Sequence, residues 1–473
     1  MRARAVAIAG IAVLVCGLQA SPGVAAATLT VDTFEDSFDG SCSDGDCSLR
    51  DAIASVDLDG TVRVPSGFYG LSLAGPGGIA EGDLDVERRM RIAVEGETGA
   101  FLDGSALGDR AFDLTAGATI ERLTLLGGSG VDRGGLVRVG NGTTRLDDVT
   151  LLGGSAVDGG AVAVDQGASV VISRSWISAG TAADRGGGLF VDGSATVIRS
   201  TLSDGAARVG GGAWVSQAGS LVLLDSTVSS NTAEARGGGL HVRGEATVRS
   251  ATVARNRATV AGGLSAADGA SVAVGSSVFD RNQADRRRTC AGPVTSSGHN
   301  VADGSGCGLQ GPGDRTGVDP RIGALRQNGG PTPTHALRSG SPAIGNGGTC
   351  SALDQRGAPR SDCDSGAYEL VRCLGRPVTI VGTAGPDDLS GGLDRDVFLG
   401  RGGADVFQGS LAADRACGGA GHDRLIGGPG DDRLAGNSGD DALRGEDGDD
   451  VLVGGGGDDV CIGGDGFDVR RGC

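Results

Sequence analysis

The chain has 473 residues and a formal net charge of −18, and its basic side chains are all arginine apart from four histidines. That balance argues against nucleic acid or an anionic membrane surface as a partner, and aromatic residues at 3% argue against a large aromatic-centred core. With 91 glycines, the composition suits stacked repeats of small residues instead.

Residues 1–27 read as a signal peptide: Arg2 and Arg4, an apolar run from Val6 to Leu18, then the small residues Ala25, Ala26 and Ala27. The run is too short to anchor the chain in a bilayer. Cleavage after Ala27 leaves 446 residues (473 − 27) at a net charge of −20 (−18 less Arg2 and Arg4), with no transmembrane segment in the mature chain. The expected location is therefore secreted, extracellular or at the cell surface. Of 11 cysteines, ten then remain, an even number in an oxidising destination, which favours disulfides over thiol chemistry. Short separations suggest Cys42–Cys47, Cys290–Cys307, Cys350–Cys363 and Cys461–Cys473, with Cys373 and Cys417 left as a fifth pair; free thiols remain the alternative. No Cys/His constellation points to zinc.

Residues 28–115 are expected to form an N-terminal cap and the first coils of a solenoid that continues over 116–290. There a repeat of about 26 residues is anchored at Thr124, Thr150, Trp176, Thr201, Thr227, Thr252 and Val278, with spacings of 26, 26, 25, 26, 25 and 26. Four residues before each anchor stand Ile120, Leu146, Ile172, Val197, Leu223, Val248 and Val274. Two residues before stand polar side chains, from Arg122 to Ser276, which read as the outward members of an alternating strand. Four residues after stand Gly128, Gly154, Gly180, Gly205, Asn231, Asn256 and Asn282, a pattern that predicts a left-handed backbone turn in every coil. Gly-rich bends follow in most coils. Short strands at this period predict a right-handed parallel β-helix, about 34 Å long over seven coils. The row of threonines, interrupted by Trp176 and Val278, reads as strand composition rather than an ice-binding face.

Both ends of this rod need caps. Upstream, Cys47, Ser48, Leu49, Arg50 and Asp51 lie in GSCSDGDCSLRDAI, which resembles the CSLREAI-type N-terminus of exported β-helix proteins related to the polymorphic membrane proteins. Downstream, SSGHNVADGSGC, DPRIGALRQNGGPTPTHALRSGSPAIGNG and DQRGAPRSDCDSGAYE resemble a choice-of-anchor Q domain over 291–370. The resemblance implies export and surface display but no defined reaction.

From Gly382 to Arg471 run ten nine-residue units without insertion, each opening with Gly and carrying Asp at its sixth place: Asp387, Asp396, Asp405, Asp414, Asp423, Asp432, Asp441, Asp450, Asp459 and Asp468. The eighth place is mostly apolar, from Leu389 and Phe398 to Leu452, and the fourth is Gly except at Asp394 and Ala412. Units such as GGAGHDRLI and GGPGDDRLA resemble the RTX, or hemolysin-type, calcium-binding nonapeptides. The resemblance implies a parallel β-roll over 371–473 with Ca2+ in its turns. Two units per coil would bring alternate aspartates to about 4.7 Å along an edge, where like charges repel by about 3 to 4 kcal/mol at an effective dielectric of 20. A hard cation held by carboxylate and carbonyl oxygens reverses that sign, so folding is expected to be linked to calcium. Besides the aspartates, the expected site residues are the first and fourth glycines of five intact units: Gly418 and Gly421, Gly427 and Gly430, Gly436 and Gly439, Gly445 and Gly448, Gly454 and Gly457. Units two and four are the weakest expected ligand providers, and Arg470 at the apolar place of the tenth unit weakens Asp468.

No catalytic residue emerges. The bends hold Asp132, Arg133, Asp158, Asp184, Arg185, Arg208, Glu234 and Arg236, but a solvated ladder of alternating charge gives the same pattern. His299 and His335 read as structural, and there is no GxSxG, HExxH or phosphate loop. The reading is an all-β, calcium-binding, exported protein of adhesive or structural role, with an extracellular glycan or cell-surface component as partner. The alternative is a calcium-assisted polysaccharide lyase or hydrolase with its groove along the Arg and Asp bends.

Overall fold

The structure is a computed structural model that describes residues 27–473 apart from 76, 77, 131, 287, 288 and 305, and apart from the side chains of 97 and 98. The signal-peptide reading falls almost wholly on 1–26, outside the described residues. The chain is all-β, a parallel β-helix followed by a parallel β-roll, with one helix, Leu49–Ser55, among the described residues.

Between Thr143 and Ala291 each rod coil contributes strands to three parallel sheets, while the coils upstream have no strand in the second. One coil runs Ser194–Ile198 and Thr201–Ser203 in the first sheet, Ala206–Val209 in the second and Ala213–Val215 in the third. The anchors pair in a single register from Thr124 through Thr150, Trp176, Thr201, Thr227 and Thr252 to Val278. The aliphatic places, Ile120 to Val274, stack in a parallel row and are 0–1% exposed, which puts the core inside the tube.

Two expectations for the coil need correction. The polar residues two places before each anchor are not outward members of one strand. Arg122, Asp148, Arg174, Arg199, Asp225, Ser250 and Ser276 take φ from 44° to 56°, a left-handed bend that splits the first sheet into two strand rows. The Gly/Asn place, for its part, is not the left-handed one except at Gly128 and Gly154. The positive φ falls one residue earlier, at Ala179, Asp204, Ser230, Arg255 and Arg281. Asn is used here for a buried ladder. Asn231 donates its side-chain amide to Oδ1 of Asn256 at 2.9 Å, and Asn256 donates to Oδ1 of Asn282 at 3.0 Å. A second ladder uses the serines just before the anchors: the Oγ atoms of Ser175, Ser200 and Ser226 accept from the backbone amide of Val149, Ser175 and Ser200, one coil back.

The upstream end is closed by the helix. Ser48 caps it in a capping box with Asp51, and Leu49, Ala52, Ile53 and Val56 join the rod's core. Arg50 is buried and satisfied by Asp36 at 2.5 Å and by the carbonyls of Ile79, Gly82 and Asp83. At the other end, Thr295–Gly298, Val301–Ala302 and Arg315–Thr316 continue the first sheet. The chain then turns back along the rod's flank. Thr201 Oγ1 donates to the carbonyl of Pro333 at 2.7 Å, Thr227 Oγ1 bonds Oε1 of Gln355 at 2.6 Å, and Ser229 bonds His335 at 2.9 Å. Thr201, Thr227 and Thr252 are therefore a buried docking strip, while the anchors Thr124 and Thr150 stay half-buried.

Arg356 joins the flank to the roll. Wholly buried, it forms a two-pronged pair with Asp354, lies 3.7 Å from the ring centre of Tyr368, and donates to the carbonyl of Val378 at the start of the roll. The five disulfides are Cys42–Cys47, Cys290–Cys307, Cys350–Cys363, Cys373–Cys417 and Cys461–Cys473.

Candidate calcium centre in the roll

Nonapeptides pair at an offset of 18 residues, two units per coil, into a six-stranded and a five-stranded parallel sheet. Between them the eighth-place residues Phe398, Phe407, Ala416, Leu425, Leu434, Leu443 and Leu452 form a core at 0–1% exposure, with the rings of Phe398 and Phe407 stacked at 4.8 Å.

The sixth-place aspartates form two columns, one per edge. In each column a carboxylate uses one oxygen to tie coils together: Oδ1 of Asp423, Asp432, Asp441 and Asp459 accepts the backbone amide of Asp405, Asp414, Asp423 and Asp441 at 2.7–2.9 Å. The second oxygen has no such bond. Oδ2 of Asp405, Asp414, Asp423, Asp432, Asp441, Asp450 and Asp459 is buried with no hydrogen-bond partner. Seven consecutive orphaned carboxylate oxygens are far outside what folded proteins leave unpaired, unless a cation takes them.

The first and fourth glycines have separate roles. The opening glycine makes room for its own unit's carboxylate: a Cβ would lie 2.2 Å from Oδ2 of Asp423 at Gly418 and 2.1 Å from Oδ2 at Gly427 and Gly436. At Gly445 it would meet Asp450 at 1.9 Å, and at Gly454 it would meet Asp459 at 2.5 Å. The fourth glycine supplies backbone freedom. Gly421, Gly430, Gly439, Gly448 and Gly457 take φ from 120° to 146°, each against the carbonyl of the fourth residue one coil back. Ala412 adopts φ 86° at this place, so unit four holds Asp414 as its neighbours hold theirs. Unit two does differ: Oδ2 of Asp396 accepts from the amide of Gly392 at 2.7 Å, as that of Asp387 does from Thr383 at 2.5 Å. Asp468 sits in the exposed last coil, where Arg470 pairs with Leu452.

Burial raises the carboxyl of Asp405 and Asp414 to about 6 and that of Asp432 to about 7, against the backbone hydrogen bond that lowers each. Asp423, Asp441 and Asp450 are raised for the same first cause. A column of dehydrated, mutually repelling carboxylates with free oxygens, beside a turn rich in carbonyls, is a hard-cation donor set. It fits Ca2+, which tolerates irregular oxygen cages, better than Mg2+.

Over 379–407, 408–443, 418–450 and 435–469 the chain matches the RTX calcium-binding nonapeptide repeat, in four copies. The roll binds calcium. No curated protein matches the chain. Among solved structures, the crystal structure of pectate lyase Pel9A aligns over 73% of this chain and 97% of its own length, at 14% identity and a TM-score of 0.45.

Most of the rod's bend charges are paired, Glu234 and Arg236 forming no ion pair among the described residues. Arg185 holds Asp158 at 2.5 Å and Arg208 holds Asp184 at 2.5 Å, while Arg110 reaches Asp132 and Arg133 reaches Asp165 at 3.0 and 3.1 Å. Arg133 and Arg185 also cover the stacked rings of Phe190 and Trp214. His335 is pushed down to about 4 by burial, as is His241. One acidic group has no signature in the sequence: carboxylate oxygens of Asp83, Asp85 and Asp113 lie within 4.8 Å of one another. Burial raises Asp83 to about 7 and Asp85 to about 6, and Arg110 lies against Asp83 at 3.2 Å as counter-ion. Asp83 and Asp85 flank Leu84 in one coil and Asp113 pairs with Asp85 from the next, so the group closes only through the coil register.

Proposed function

We propose that this protein is an exported, calcium-binding β-helix protein of adhesive or structural role, displayed at a cell surface or secreted, with an extracellular glycan or cell-surface component as its partner. Calcium ligands are assigned to the sixth-place aspartates, led by Asp423, Asp432, Asp441, Asp450 and Asp459, with the first and fourth glycines opening the cage. The observation that carries the assignment is the run of seven buried Oδ2 atoms without partners. Export is supported by the leader-like 1–27, the CSLREAI-like Cys47–Asp51 segment, the anchor-Q-like 291–370 and five disulfides, which persist in oxidising compartments. Among the described residues no helix is long and apolar enough to cross a membrane. The rod's bend carboxylates held by arginine favour a rigid, charge-balanced surface over a pair poised for hydrolysis. Calorimetric titration of the chelator-stripped chain tests the reading: saturable calcium binding, with circular dichroism gaining β structure in step, is expected. No heat and no spectral change would end it.

A further inference from the structure

The roll carries a feature unrelated to its aspartate columns. On the outer flank of its six-stranded sheet, Arg376, Arg395, Arg415 and Arg433 surround a cleft of about 410 Å³. Two come from successive coils: Arg415 and Arg433 are register partners, one strand spacing apart, about 4.8 Å. Arg395 comes from the coil before. Arg376 lies on the short hairpin of Arg372–Cys373 and Arg376–Pro377, which the Cys373–Cys417 disulfide fastens two residues from Arg415. Arg415 also donates to the carbonyl of Leu374 in that hairpin. The cluster is thus built by a covalent clamp across 44 residues.

Its charge is uncompensated by pairing. None of the four guanidiniums forms an ion pair among the described residues, whereas Arg444, elsewhere on the roll, pairs with Glu446 at 3.3 Å. Burial, then the charges of Arg433, Arg376 and Arg395, push the Arg415 guanidinium below its ordinary value. Asp396, Asp414 and Asp431 border the cleft; Asp396 and Asp414 belong to the calcium columns, whereas Asp431 is exposed beside them. In calcium-free protein their charge offsets the arginines, and repulsion within the columns opposes the stacking that aligns Arg415 with Arg433. Calcium offsets Asp396 and Asp414 and favours the stacking, which leaves four arginines against Asp431 alone, a positive cleft in an acidic protein.

We propose that this cleft is a calcium-dependent binding site for an anionic glycan, one whose sugars carry repeated oxyanions. Guanidinium forks match carboxylate, sulfate and phosphate oxygens in two-pronged geometry. The cleft lies within the size range of small-ligand pockets, about 300 to 1,000 Å³, wider than a lone oxyanion needs to meet all four arginines. Broad anionic surfaces such as duplex nucleic acid or a bilayer would meet the surrounding carboxylates, whereas a single flexible chain can thread between them. The inference rests on the calcium-loaded roll of the proposed function and names the surface that engages its glycan partner.

The test uses the full oxidised chain over immobilised dextran sulfate, polygalacturonate and neutral dextran, with calcium or chelator, and with inorganic sulfate as competitor. Calcium-dependent binding to a charged polymer but not to neutral dextran is expected. The sulfated and carboxylated arms identify which oxyanion is preferred. The double variant Arg415→Ala with Arg433→Ala is expected to weaken binding at least about tenfold, the scale of one lost charge-assisted bond, with calcium heats unchanged. Arg424→Ala, on the other sheet, is expected to bind as the parent does. Parent-like binding by the double variant, equal binding in chelator, or response to inorganic sulfate alone would overturn the glycan site while leaving the calcium reading intact. If calcium produces neither heat nor a spectral change, it is the calcium reading that fails.

Discussion

The backbone amide of Asp414 donates to Oδ1 of Asp432 at 2.7 Å, one coil on, while Oδ2 of the same Asp432 is buried without a partner. One carboxylate therefore does two jobs: one oxygen continues the coil-to-coil ladder and the other waits for a cation. The arrangement separates what holds the roll in register from what decides whether it closes, and the two can be perturbed independently.

Asp441→Asn keeps the shape and the Oδ1 acceptor but removes one charge from a column where neighbours repel by about 3 kcal/mol at an effective dielectric of 20. Effects of opposite sign are expected. In chelator the variant roll should melt higher than the parent, and in calcium it should bind the ion about tenfold or more weakly, since a charged oxygen ligand is lost. Melting curves and calorimetry in both conditions decide the matter; a shift of the same sign in both would contradict the division of labour.

The calcium-free roll should prefer acid. Asp405 and Asp414 are raised to about 6 and Asp432 to about 7 in the folded state, against about 3.9 in an unfolded chain. The folded state then holds more protons than the unfolded one, so stability is full below about 4 and falls as pH rises towards about 7. Chelated protein should resist proteolysis in the roll better at pH 5 than at pH 7.5, while calcium-loaded protein should weaken on acidification as protons displace the ion. Equal digestion of the chelated roll at the two pH values would contradict the shifts.

Gly436 and Asn437 make a matched pair in one turn. A Cβ on Gly436 would sit 2.1 Å from Oδ2 of Asp441, whereas Asn437 already carries a side chain at φ 79°, in a region that favours glycine. Gly436→Ala is therefore expected to displace the carboxylate and lower calcium affinity several-fold. Asn437→Gly should leave affinity alone and relieve about 1 kcal/mol of backbone strain, less the entropy glycine adds to the unfolded chain. The same calorimetric titration separates them.

Periods of 9 and about 26 residues made the two solenoids, the coil register and the aspartate columns legible, because a fixed period by itself states which side chains stack. Residues with two uses were less legible. Asn231, Asn256 and Asn282 suit left-handed turns as a type, but here they are rungs of a buried amide ladder, and the left-handed φ sits on Ser230, Arg255 and Arg281. The flank over Thr201 and Thr227 has no period, so contacts spanning 128 residues or more, such as Thr227 with Gln355, leave no trace in spacing. Nor can spacing tell Oδ1 from Oδ2.

That ladder gives the rod its own test. Asn256 accepts the backbone amide and the side-chain amide of Asn231 at 2.9 Å each, and donates to the carbonyl of Val228 at 2.9 Å. Asn256→Ala strands those groups in a dry interior, at a cost of about 2 to 4 kcal/mol. Urea unfolding followed in the rod should report it, and a change below about 0.5 kcal/mol, the level of an ordinary surface substitution, would show that water replaces the amide.

Chelation should unfold one solenoid and spare the other. The rod's core is aliphatic and continuous from Val31 to Leu309 and owes nothing to carboxylates, whereas the roll's core is a single file of seven buried residues between two charged columns. They are linked by an apolar cluster of Ala358 with Val378, Val381 and Val397 and by Arg356, whose bonds to Asp354 and the carbonyl of Glu369 lie on the rod side and whose bond to the carbonyl of Val378 lies on the roll side. Loss of the roll therefore leaves Arg356 still held by Asp354. Hydrogen exchange in chelator at neutral pH should lose protection over 380–473 and keep it over 112–290, with the boundary near Val378. Loss of protection across both segments together would mean that the two solenoids fold as one cooperative unit.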